Sequence, residues 1–199
     1  MKRRDALERV ALLMGGLVSA PTITAFLEGC TPGTKSGSEQ FAGFSADQLS
    51  LVSEIAETIL PATDTPGAKD AKVGEFVDLM LKDCYYPKDQ NSFMKGLDEL
   101  SKKGFLKASQ QDREKLLSEA EDYAYQFKEE TAKKRNQAKE SQQTFEEPGV
   151  PFFSLMKELT LLGYFTSEVG ATLALDYVPV PGRYEGCLDL KEGQKAWAI

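Results

Sequence analysis

Apolar residues in "FSADQLSLVSEIAETILPATD" fall at Leu49, Val52, Ile55 and Ile59, three or four apart, so they share one face of a helix. Ser45 precedes the run and Gln48 stands three residues later, the spacing of a capping box. Pro61 ends the helix. "ATDTPGAKDA" then reads as a turn-rich loop, with Pro66-Gly67 suited to a type II turn. A second helix is predicted from Val73 to about Cys84, burying Phe76, Val77, Met80 and Leu81, and "YYPKDQ" breaks it at Pro87. Residues 90–103 form a third, with Phe93, Leu97 and Leu100 on one side.

Ser109 followed by Asp112 marks another helix start, and some thirty residues follow without Gly or Pro. Leu116, Leu117, Ala120, Tyr123, Ala124 and Phe127 make its buried stripe; beyond Phe127 the apolar positions almost vanish, so that this end is expected to be solvated, frayed or resting on a partner. "PFFSLMKELTLLGYFTSEVGATLALDY" is the most apolar stretch beyond the first 30 residues. It predicts two helices meeting near Gly163 or Thr166, with Thr166 capping the second and Glu168 in its first turn. The tail "VPVPGRYEGCLDLKEGQKAWAI" alternates proline and glycine and carries few helix signals. No hairpin, repeat or parallel sheet is indicated. The pattern predicts an all-α single helical domain of about five to seven helices over residues 44–199, with an extended Pro/Gly-rich C-terminal tail.

The first 30 residues have another character. Lys2, Arg3 and Arg4 precede an uncharged run, Val10 to Leu27, that is only mildly apolar. That combination is an export signal rather than a permanent membrane span. Arg3, Arg4 and Leu7 keep part of the twin-arginine pattern, while the Phe and Lys of the fuller pattern are missing; a general secretory signal is the alternative. "LEGC" is close to a bacterial lipobox, making Cys30 the expected lipidation site, with a thiol in a discarded peptide as the alternative. The expected organisation is a lipoprotein-type signal at 1–29, a flexible tether at 30–43 and the helical domain after it.

Charge and composition narrow the chemistry. Beyond residue 30 the chain has 20 basic and 28 acidic residues, a balance unsuited to nucleic acid or to attraction by anionic lipid. It has no histidine, which removes Ser-His-Asp and Cys-His nucleophile systems and His-ligated metals or haem. Cys84 and Cys187 lack CxxC spacing; they are either bridged, as an oxidising compartment allows, or both buried and reduced. The carboxylates Asp64, Glu129-Glu130 and Glu146-Glu147 lie in polar stretches, and no GxGxxG or GxxxxGK loop occurs. The residues point to no catalytic, cofactor-binding or metal site.

What remains is surface for a partner. Tyr164, Phe165, Tyr177, Tyr184 and Trp197 lie within 34 residues, alongside Arg183, and Tyr, Trp and Arg are the types favoured at interface hot spots. Pro179 and Pro181 hold "DYVPVPGRYEG" extended, so that it can lie across another protein at low entropic cost. For Tyr164 and Phe165 a place in the domain's own core is the equal alternative.

"ETILPATDTPGAKDAKVGEFVD" and "FFSLMKELTLLGYFTSEVGATLALDYVPVPGRYEGC" resemble the gluconate 2-dehydrogenase subunit 3 family over roughly residues 45 to 190. The matching motifs are "ILPATDTPGA" in the first stretch, and "GYFTSE…G" and "PVPGRY.GC" in the second. The resemblance implies a non-catalytic small subunit of a membrane-associated dehydrogenase. Its large subunit would be a flavoprotein of the glucose–methanol–choline type, holding FAD and oxidising a sugar or sugar acid. A multihaem cytochrome c subunit would take the electrons onward. It also implies that the small subunit escorts its folded partner across the membrane. The expectation is a periplasmic, lipid-anchored escort and scaffold; the alternative is a stand-alone envelope lipoprotein with a helical binding domain.

Overall fold

The computed structural model describes residues 41–180, 182–183 and 186–198. The signal residues Arg3, Arg4 and Leu7, the lipidation residue Cys30, and the tail residues Pro181 and Tyr184 lie outside them. The capping box forms as its spacing predicts: Ser45 Oγ accepts from the Gln48 amide at 3.3 Å, and the Ser45 amide donates to Gln48 Oε1 at 2.9 Å. It opens α1, Ala46–Ile59, and α2 follows at Val73–Cys84. Helix α3, Pro87–Lys102, starts three residues earlier than the spacing of Phe93, Leu97 and Leu100 indicates. Pro87 ends the preceding segment by opening this helix, because the first turn has no use for the amide that proline lacks.

A single 3₁₀ turn, Phe105–Lys107, leads to α4, Gln110–Glu140, where Ser109 Oγ accepts from the Asp112 amide at 3.2 Å. Helix α5 spans Phe152–Phe165 and is followed by a wide π-type turn at Gly170–Ala174. Two strands of two residues, Asp176–Tyr177 and Trp197–Ala198, pair in parallel, too short a pairing for any periodicity to announce. Among the described residues the fold is thus all-α, with five α-helices. None of the helices there is long and apolar enough to cross a membrane.

Helix α5 is the centre: it packs on each of the other four, and eight of its fourteen residues are buried. Met156, Leu159 and Thr160 meet Val52 and Ile55 of α1, Val77 and Leu81 of α2, and Phe93 and Leu97 of α3 in one core. Gly163 lets α2 come close, since a Cβ there would stand 2.6 Å from Phe76 Cδ1. At the chain's entry, the Phe44 amide donates to Asp78 at 2.6 Å, and Phe44 packs on Phe93 with Phe41 edge-on behind it.

The buried stripe of α4 is narrower than its sequence suggests. Only Leu117 and Ala124 are fully buried, Leu116, Ala120 and Phe127 are half-buried, and Tyr123 is exposed. Length explains this: 31 residues make a rod of about 46 Å, against about 21 Å for the 14 residues of α5 beneath it. The outer half of α4 has little to rest on. Arg135 reaches from it to Glu147 at 2.8 Å.

Candidate partner interface

The loop after α1 is held from below by two carboxylates of that helix. Glu57 accepts from the Ala62 amide at 3.0 Å and from the Lys69 amide at 2.8 Å. The Ala68 amide closes the loop onto the Leu60 carbonyl at 3.0 Å. Gly67 does not adopt positive φ, so the expected type II turn does not form. Glycine is required for space instead, because a Cβ would lie 2.7 Å from the Ala62 amide nitrogen and would collide with the Glu57 carboxylate. Pro61 to Asp64 remain exposed while Gly67 and Ala68 are buried.

Glu54, one turn before Glu57, pairs with the Lys69 ammonium and with Arg113 of α4, whose Nη1 stands at 2.9 Å. The hydrogen bond from Lys69 is the main reason its carboxyl sits below the usual range; burial opposes the shift and Arg113 adds to it. Arg113 also donates to the Phe105 carbonyl at 3.1 Å and the Leu106 carbonyl at 2.8 Å, with its guanidinium over the Phe105 ring. It ties α1, the 3₁₀ turn and α4 together.

Tyr164 joins this loop to the end of α5. Its side chain is buried, and its hydroxyl donates to the Pro66 carbonyl at 2.7 Å. It is therefore a core residue that locks the loop and is not open to a partner. Thr166 does not cap the next turn; its hydroxyl donates back to the Leu162 carbonyl at the end of α5. Ser167 does the capping, accepting from the Gly170 amide at 3.0 Å and donating to the Tyr164 carbonyl at 2.6 Å.

Phe165 packs edge-on against Tyr164, with 38% of its surface exposed. Tyr177 is half exposed, and Pro179 and Arg183 are exposed. Cys84 and Cys187 meet neither sequence expectation: both are free and both are exposed, one at the last residue of α2 and the other in the tail.

The sequence reading missed Leu161, Leu162, Leu173 and Val180, all of them exposed. Helix α5 is apolar over most of its circumference, with Ser154, Lys157 and Glu158 the polar breaks in its first half, so the outward face of its second half gave no signal. With Phe165 and Tyr177 they place six exposed large apolar residues in the twenty from 161 to 180; the 120 described residues before them hold only six. That concentration makes the end of α5 and the turn after it the candidate interface.

Grooves flank α4 on both sides. One, of about 370 Å³, lies between α3 and α4 over Phe152 and Phe153, with Lys103 and Glu119 paired across it at 3.3 Å. The other, of about 420 Å³, runs between α4 and α5 beside Tyr125 and Leu161, where Lys157 is paired with Glu121 at 2.7 Å. Among the described residues no three His, Cys, Asp or Glu side chains converge to hold a metal ion.

No match was found among curated proteins or among solved structures. The family described as gluconate 2-dehydrogenase subunit 3 matches residues 46–182. The match runs from the first residue of α1 past the π-type turn, and so takes in both the clamped loop and the helix end that Tyr164 ties to it. Covering well over half of the chain, it shows that this protein belongs to the gluconate 2-dehydrogenase subunit 3 family, a family named for a subunit of a dehydrogenase.

Proposed function

We propose that the protein is a non-catalytic accessory subunit of a periplasmic, FAD-dependent dehydrogenase of sugars or sugar acids. In this reading it escorts the flavoprotein subunit during export, scaffolds it, and anchors it through a lipid on Cys30. The observation that carries the proposal is the family match across the helical domain. The exposed apolar residues gathered at 161–180 are what a subunit surface requires. The residues present do not fit a dinucleotide. Their helices start after Ser45, Lys72, Tyr86, Ser109 and Pro151, none in a glycine-rich loop leaving a strand. In this reading FAD belongs to the large subunit, and a cytochrome c subunit completes the electron path.

The escort role follows from where flavin is inserted. A flavoprotein that folds around FAD in the cytoplasm must cross the membrane folded, and a twin-arginine signal on its partner can carry it. The test is gentle detergent extraction of the tagged native protein, with a visible spectrum and partner identification. A co-purifying flavoprotein with flavin absorbance is expected. A colourless, solitary protein would instead favour the stand-alone lipoprotein, for which the 370 Å³ groove is of small-molecule size. Replacing Arg3 and Arg4 by Lys should leave both proteins in the cytoplasm; a flavoprotein that still reached the periplasm would remove the escort role alone.

A further inference from the structure

The outward face of α5 is unusual for a helix that closes the core. Leu161 and Phe165 are four residues apart, and Leu162 lies three before Phe165, so the three side chains adjoin on the helix surface. They are 38%, 38% and 43% exposed for Leu161, Phe165 and Leu162 respectively, so each keeps a substantial apolar surface open to solvent. Glu158 precedes them by one turn, Glu168 follows Phe165 by three residues, and Asp176 lies next to the exposed Tyr177. All three carboxylates are exposed, and none forms an ion pair among the described residues. The nearest lysine on the helix, Lys157, is already taken by Glu121. The patch is an apolar strip bordered by carboxylates at Glu158 and Glu168. Lys128 lines the groove beside Glu158 and Leu161, and Lys195 donates to the Leu173 carbonyl at 2.6 Å, so the acidic side chains outnumber the basic ones without being paired to them.

That border selects the occupant. An anionic membrane surface would be repelled by it. A second copy docking the same patch on itself would set carboxylates against carboxylates, which costs binding. Residues 31–40, "TPGTKSGSEQ", carry no apolar side chain with which to fill it. A protein surface that brings apolar side chains flanked by lysine or arginine satisfies both parts. Resting on the accessory-subunit reading, we infer that Leu161, Leu162 and Phe165 of α5 seat the large subunit of the dehydrogenase. The contact is an apolar one, bordered by basic side chains that pair with Glu158, Glu168 and Asp176.

The test titrates the purified flavoprotein subunit, followed by its flavin absorbance, onto the full immobilised protein. It compares the unsubstituted chain with Leu162→Ser/Phe165→Ser and with Glu158→Lys/Glu168→Lys. Each pair should weaken binding by about tenfold or more, the loss associated with hot-spot side chains and their bordering charges. Binding to the unsubstituted protein should also weaken with added salt, and the charge-reversed variant should lose most of that dependence. Where the serine variant has a lowered thermal midpoint, the glutamate variant decides, since both its positions are exposed. Undiminished affinity in the glutamate variant overturns the inference and leaves the accessory role standing. An unsubstituted protein that binds no flavoprotein overturns both. Concentration-dependent self-association abolished by the same substitutions would assign the face to a second copy and overturn the inference as well.

Discussion

Two side chains with similar chemistry are expected to matter very differently. Arg113 makes three hydrogen bonds, one of them its ion pair with Glu54, at 19% side-chain exposure, whereas Arg135 pairs with Glu147 on the exposed outer half of α4. Arg113→Ala should cost about 2–3 kcal/mol in urea unfolding, since its loss leaves the Phe105 and Leu106 carbonyls without their charged donor and Glu54 with Lys69 alone. Arg135→Ala should leave the urea midpoint close to that of the parent, as loss of an exposed ion pair usually does. Tyr164→Phe removes the hydroxyl that holds the Pro66 carbonyl and should cost about 1–2 kcal/mol in the same measurement. Gly163→Ala should cost about 1–3 kcal/mol by forcing Phe76 out of its place.

The acid response belongs to elements, because Glu54 links α1 both to the loop and to α4. Its carboxyl is held below the ordinary carboxylate value in the folded chain, chiefly by Lys69. Its contribution is therefore fully present above the ordinary carboxylate value and is lost as pH falls through it toward the lowered one. Urea midpoints between pH 7 and pH 3 should show a drop at the acid end that Glu54→Gln reduces.

At this scale, too, it becomes plain which elements could be read from the residues alone. The bounds of α2 and the caps at Ser45 and Ser109 were legible, because a cap and an apolar period are local properties. Pro87 misled by three residues because proline both breaks and opens helices. Thr166 and Ser167 are adjacent hydroxyls, and only the backbone path after α5 selects the second as the cap. Tyr164 and the outward face of α5 depend on which element lies against them. No spacing in the sequence carries that information.

Across the whole molecule, protection should follow the packing. Amide exchange should be slowest in α5 and in α4 near Leu117 and Ala124, and fast over residues 133–140, where no apolar side chain is buried. Equal protection along all of α4 would mean that its outer half is covered by something outside this chain.

The central place of α5 has one more consequence. With the same helix closing the core and seating the large subunit as proposed, assembly and folding draw on one element. Large subunit present at a hundred times its dissociation constant would add about 2.7 kcal/mol to the stability of this fold. An orphan copy would lack that increment, open more often, and meet proteases sooner, so unmatched subunits would be cleared and the ratio of the two chains would correct itself.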